Sequence, residues 1–88
     1  MKELDTGKTA LIVGSFAGLM HLVWSAVVAL GFGQVWLDFI LNLHFLNNPF
    51  TVSTFDVTRA VLLVVVTFAV GYAVGWVFAT IWNKLLKK

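Results

Sequence analysis

A chain of 88 residues is long enough for one small domain at most. With 60% hydrophobic and 11% charged residues and a mean hydropathy of +0.95, it carries more apolar surface than a soluble domain of this size can bury. The absence of cysteine excludes disulfides, thiolate metal sites and thiol nucleophiles, and a net charge of +2 divided between the two ends offers no basic block for nucleic acid.

Residues 1–8, MKELDTGK, read as a short polar tail. From Thr9 to Leu37 there are 29 residues without Asp, Glu, Lys or Arg, and from Ala60 to Asn83 another 24. About 20 apolar residues cross a bilayer core, so two spans fit and a third does not. The first span is expected over about 9–30. It is read as an uncleaved helix: Glu3 and Asp5 dilute the basic start, the apolar stretch exceeds a signal-peptide core, and no A-x-A-like site follows.

Gly31-Phe32-Gly33 interrupts this span and allows a bend. Beyond it lies QVWLDFILNLHFL, residues 34–46. At 100° per residue, Gln34, Asp38 and Asn42 share about 80° of arc, with His44 about 80° to the other side of Gln34. This pattern predicts an amphipathic helix in the membrane interface or tucked against the spans; a bent continuation of the first span is the alternative. Residues 47–56, NNPFTVSTFD, form the turn, because Pro49 disfavours helix at Asn48. Ser53 with Asp56 makes a weak capping box, with Thr54 or Asp56 as other caps, and Arg59 is spaced to pair with Asp56.

The second span is expected over about 57–82, followed by a basic tail, 83–88. Its run VLLVVVTF is β-branched, but a lone strand in lipid would leave its backbone polar groups unpaired, so it is read as helix. Lys2, Lys8, Lys84, Lys87 and Lys88 lie on the terminal side and only Arg59 on the connecting side, which places both termini in the cytoplasm. Trp76 and Trp82 suit the inner aromatic belt and Trp36 the outer one.

GSFAG (14–18) and GYAVG (71–75) are both G-x-x-x-G motifs, in which small residues let helix backbones approach. Taking Lys8 and Lys84 as markers of one interface, Gly18 lies ~15 Å and Gly75 ~13.5 Å into the membrane, with His21 and Gly71 both at ~19.5 Å. The expected interface comprises Gly14, Gly18, His21 and Ser25 on the first span and Thr67, Gly71, Gly75 and Ala79 on the second. In it His21 packs over Gly71 and bonds to Thr67 or a backbone carbonyl. The functional alternative makes His21 an axial ligand to a haem or chlorin, with Ala17 one turn earlier leaving room beside the ring. That short spacing slightly resembles single-span light-harvesting polypeptides. A titrating or pore-lining role for His21 is a further option.

No carboxylate lies in either span, which argues against proton-coupled transport and against the rotor-ring proteolipids of ATP synthases. Asp38, Asn42 and His44 read as a wetted face rather than an acid–base site, and no nucleophile–base pair, phosphate loop or zinc spacing is present. No enzyme, cofactor or metal site is expected.

The sequence GWVFATIWNKL, residues 75–85, resembles the end of the second helix in small uncharacterised two-transmembrane membrane proteins of bacteria and archaea, and HLVWSAVVALGFG loosely resembles their first helix and its Gly-aromatic-Gly exit. His21 and the Asp38 segment depart from that pattern. The resemblance implies a fold and a membrane address and no activity. Together these readings predict an all-α membrane protein: a two-transmembrane antiparallel helical hairpin with an amphipathic interfacial helix in the connection, in the cell membrane with both termini cytoplasmic. Its expected role is that of a non-enzymatic structural or accessory subunit acting through helix–helix association, with the lipid bilayer and either further copies or a larger membrane protein as partners. A pore-forming, holin-like homo-oligomer is the main rival.

Overall fold

The computed structural model describes residues 2–87 and contains three helices: α1 (Thr6–Ala29), α2 (Gly33–Leu43) and α3 (Val57–Leu86). Asp5 opens α1. Its backbone is extended and its carboxylate accepts a hydrogen bond from the Lys8 amide at 3.0 Å, filling one vacancy of the first turn. The helix therefore starts about one turn before the apolar run does. It stops because Gly31 adopts a φ of +87°, where a side chain would be strained. The Gly31 amide then donates to Val28 O and the Phe32 amide to Val27 O, both at 3.0 Å, the paired bonds of a Schellman termination.

This termination makes α2 a separate helix rather than a continuation of α1. It ends at Leu43, a little before residue 46, through the same device: Phe45 takes a φ of +64°, with its amide donating to Asn42 O and that of Leu46 to Leu41 O. After an irregular connection, Asp56 caps α3 by accepting from the Thr58 amide at 3.0 Å. Asp56 and Arg59 do not pair; the one ion pair among the described residues is Lys87 Nζ to Glu3 Oε2 at 3.6 Å. The expected basic tail is helical as far as Leu86. Asn83, Lys84, Leu85 and Leu86 tolerate helix, and Lys84 complements the negative end of the dipole.

At ~1.5 Å per residue α1 is ~36 Å long and α3 ~45 Å, against a hydrocarbon core of ~30 Å. Both are long and apolar enough to cross a membrane. They lie side by side in opposite directions. A Cβ placed on Gly75 would meet Ala10, one on Gly71 would meet Gly14, and one on Gly18 would approach Val64 and Phe68. The molecule is only 16 Å thick in its shortest dimension, the depth of a single helical layer. Among the described residues no large side chain is fully buried, and Ala10 and Ala79 are the buried hydrophobic ones. Ile12, Phe16 and Leu30 are each more than 60% exposed, and the long apolar side chains of α3 likewise point outward. The fold thus reverses the usual arrangement of a water-soluble domain.

Candidate functional site

The contact that organises the molecule is the seam between α1 and α3. Ala10, Gly14, Gly18 and Ser25 are the buried residues of α1, and Gly71, Gly75 and Ala79 those of α3. Recurrence at three- and four-residue spacing puts each set on one helix face. The approach is close enough to leave no room for a methyl group at three glycines. A Cβ at Gly14 would lie 2.8 Å from Phe68 O, one at Gly71 2.9 Å from the Gly14 Cα, and one at Gly75 2.8 Å from the Ala10 Cα. Gly18 is looser: its nearest neighbour would be Phe68 Cβ at 3.5 Å. Backbones in such contact gain dispersion over many atom pairs, which is the force available where water is absent.

The register differs from the expected one. Gly71 faces Gly14 and Ala17 rather than His21, a displacement of about two turns. The physical reason lies at the end of the seam. Residues 2–5 do not hang free below α1 but run alongside the last turns of α3, so Lys8 and Lys84 do not mark one level. Asn83 closes this end: its Oδ1 accepts from the Leu4 amide at 2.7 Å and its Nδ2 donates to Leu4 O at 2.8 Å. Trp82 Nε1 donates to Lys2 O at 3.1 Å beside them.

His21 lies on the α1 face that carries the seam and is half-buried. Its Nδ1 is 2.7 Å from Ala17 O, and because a carbonyl only accepts, Nδ1 carries the proton. Nε2 has no bond within the described residues. Thr67 is not its partner: Thr67 Oγ1 donates to Leu63 O at 2.8 Å and Val64 O at 3.1 Å on its own helix. Ser25 behaves alike, donating to His21 O at 2.9 Å. Both hydroxyls are thus satisfied within their own helices. The seam brings together Gly14, Gly71, Gly75 and Ala10 directly, with Gly18 and Ala79 along the same line; it does not bring His21 to Gly71 or Thr67.

A second cluster ties α2 to the connection. Gln34 Nε2 donates to Asp38 Oδ1 at 3.0 Å and to Phe50 O at 3.2 Å, and Gln34 Oε1 accepts from the Val52 amide at 2.6 Å. Asn48 Nδ2 donates to the same Asp38 oxygen at 2.6 Å, while Asn48 Oδ1 accepts from the Phe50 amide across Pro49 at 2.8 Å. Donation by Asn48, and then by Gln34, lowers the pKa of Asp38 from its ordinary 3.8, with a small opposing effect of desolvation. His44 takes no part; its Nδ1 donates to Ile40 O at 2.7 Å. Asp38 is therefore a structural acceptor, and no group of three or more His, Cys, Asp or Glu among the described residues is placed to hold a metal ion.

Sequence reasoning missed Ala10 and Asn83 as parts of the seam. The signal was available, since Ala10 stands four residues before Gly14 and Asn83 four after Ala79, each continuing a stripe already recognised. The Asn48–Asp38 bond had no such signal, because it crosses an irregular segment. Comparison of the chain with protein families, with curated proteins and with solved structures finds no match.

Proposed function

We propose that the chain is a small integral membrane protein: a two-transmembrane antiparallel helical hairpin with both termini in the cytoplasm and α2 lying amphipathically in the opposite interface. It acts without enzymatic chemistry, as a structural or accessory subunit, through helix–helix association. The observation that carries this reading is the inversion of the fold. The α1–α3 seam buries only small residues, whereas the large apolar side chains of both helices face outward. Lipid or partner helices supply the apolar surroundings those side chains require. The glycine seam is consumed within the chain, so partners meet the outer faces rather than the G-x-x-x-G motifs. The lysine bias toward the two ends supports the cytoplasmic placement, and the resemblance of residues 75–85 to small two-transmembrane proteins agrees with this architecture.

The test uses the absence of cysteine. Single cysteines introduced at Lys2, Asn47 and Lys87 are expected to react with a membrane-impermeant reagent from the cytoplasmic side, the outer side and the cytoplasmic side respectively. Extraction of the protein from membranes by alkaline carbonate would overturn integral insertion. Light scattering of the solubilised protein distinguishes a monomer or dimer, which fits a subunit, from a large uniform oligomer, which fits a pore instead.

The geometry of His21 favours one second reading. A ligating histidine commonly donates its other ring N–H to a backbone carbonyl, and His21 Nδ1 does so to Ala17 O with Nε2 left open. A haem or chlorin ligand at Nε2 predicts a coloured preparation that loses its absorbance in His21→Ala; a colourless one removes this reading.

A further inference from the structure

We propose that the cleft where the connection meets the ends of α1 and α3 binds one phospholipid, with its phosphate on Arg59 and part of an acyl chain over Trp24, Val28, Leu37 and Leu63. The inference rests on the membrane reading given above. The cleft has a volume of about 270 Å³ and is bounded by those four apolar side chains, by residues 51–56 of the connection, and by Arg59 on the first turn of α3. That volume falls just under the usual range for small-molecule sites, ~300–1,000 Å³, and suits a portion of a lipid rather than a whole one.

Three features point to this occupant. The first is the cation. Arg59 is the only Lys or Arg between residues 9 and 83, and it stands on the side of the molecule that charge bias otherwise leaves without cations. It is exposed and forms neither an ion pair nor a side-chain hydrogen bond with the described residues. Asp56, the adjacent carboxylate, is turned onto the Thr58 amide as a cap. A guanidinium with its donors free matches a phosphodiester, which accepts two parallel hydrogen bonds.

The second feature is the division of the lining. Trp24, Val28, Leu37 and Leu63 offer apolar surface, and the Ser25 hydroxyl beside them is bonded to His21 O. The polar lining comes from Thr51, Ser53 and Thr54 of the connection together with Asp56 and Arg59 at the start of α3. An amphiphile with a charged head and an apolar chain meets both. The third feature is position. Residues 24–28 end α1 and residues 57–63 begin α3, so the cleft lies where spanning helices pass from hydrocarbon to head groups. The Gln34–Val52 and Asp38–Asn48 bonds hold the connection in place as the cleft's outer wall.

The experiment is native mass spectrometry of detergent-solubilised, full-length protein after exchange into micelles containing phosphatidylglycerol, or diacylglycerol with the same chains. Wild type is expected to retain one phosphatidylglycerol about tenfold more than diacylglycerol, the scale of one charge-assisted contact. Arg59→Gln is expected to lose that preference and Arg59→Lys to keep part of it. Ala60→Phe, which keeps the cation and crowds the cleft, is expected to lose retention of both lipids. Equal retention of the two lipids by wild type, or an unchanged preference in Arg59→Gln, overturns the proposal. So does displacement of the lipid by inorganic phosphate alone, which would assign the site to a free anion. Membrane fractionation of the same cells separates the two readings: wild type absent from membranes refutes the membrane reading, whereas a membrane-bound protein without lipid preference refutes only this site.

Discussion

The side chain of Asn83 pairs with the backbone of Leu4 as a peptide group in a neighbouring strand would, donating through Nδ2 at 2.8 Å and accepting through Oδ1 at 2.7 Å. One carboxamide satisfies both polar groups of a residue that precedes α1 and has no helical partner for them. It thereby fastens the first residues of the chain to the last turns of α3. Both partners are partly buried, so neither bond is fully replaced by water when lost.

Asn83→Ala is accordingly expected to destabilise the fold by about 1–3 kcal/mol, the cost of leaving such groups unsatisfied. Hydrogen exchange at the Leu4 amide should lose its protection, with the α1–α3 seam near Gly14 unaffected. Asn83→Asp keeps the acceptor and loses the donor, and should fall between the two. Unchanged Leu4 protection in Asn83→Ala would show that the contact is not formed in solution.

The glycines of the seam make a sharper prediction because they are not equivalent. Gly71→Ala would place a methyl 2.9 Å from the Gly14 Cα and 3.0 Å from Val13 O, backbone atoms that yield only if the helices separate. Gly18→Ala meets nothing closer than 3.5 Å and gains helix propensity. The expectation is a loss of about 1–3 kcal/mol for the first, as in overpacked cores, and a change within ~1 kcal/mol of wild type, of either sign, for the second. Thermal unfolding in one detergent compares the pair, and equal effects would contradict the register.

That register marks the boundary of what the sequence discloses. Helix positions were legible because two charge-free stretches of span length leave few alternatives in an apolar chain. The small-residue stripe was legible from its four-residue spacing. The level at which Gly14 meets Gly71 was not, because the lysines that mark depth, Lys8 and Lys84, stand at different levels: residues 2–5 run alongside the last turns of α3, joined to it at Trp82 and Asn83. His21 shows the same limit: its place on the seam face follows from spacing, but its partner, Ala17 O, is one carbonyl among several within reach. Asp38 reads with Asn42 and His44 as a wetted face, since spacing reveals that polar residues share a side and not that Asp38 bonds to Gln34 and Asn48.

For Asp38 the pH dependence has a definite sign. Its pKa is lowered in the folded state by the Asn48 and Gln34 donors, so folding favours the carboxylate. The stabilisation is fully present above the ordinary value of 3.8 and is lost as pH falls through the lowered one. Loosening of the connection should therefore appear only in strong acid. The protection factor of the Val52 amide, which Gln34 holds, should be flat through neutral pH and decline below 3.8. Asp38→Asn, which cannot titrate, should abolish the acid decline; a decline that survives this substitution would have to arise elsewhere.

Phe45 offers a test of local strain against function. Its φ of +64° lies in the left-handed region, which a side chain occupies at a cost of about 1–2 kcal/mol, and the same position at the end of α1 is filled by Gly31. Its ring recovers none of that cost within the chain, being 98% exposed. Phe45→Gly should therefore stabilise the end of α2 by about 1 kcal/mol in detergent, less the added freedom of the unfolded chain. In the proposed topology the ring lies with Trp36 near the outer interface, where an aromatic side chain gains from the head-group region. The same variant should then show weaker quenching of Trp36 by lipid-borne quenchers, measured with the other three tryptophans replaced by phenylalanine. Greater stability without a change in quenching would leave the backbone strain established and remove the membrane contact as the reason a phenylalanine stands there.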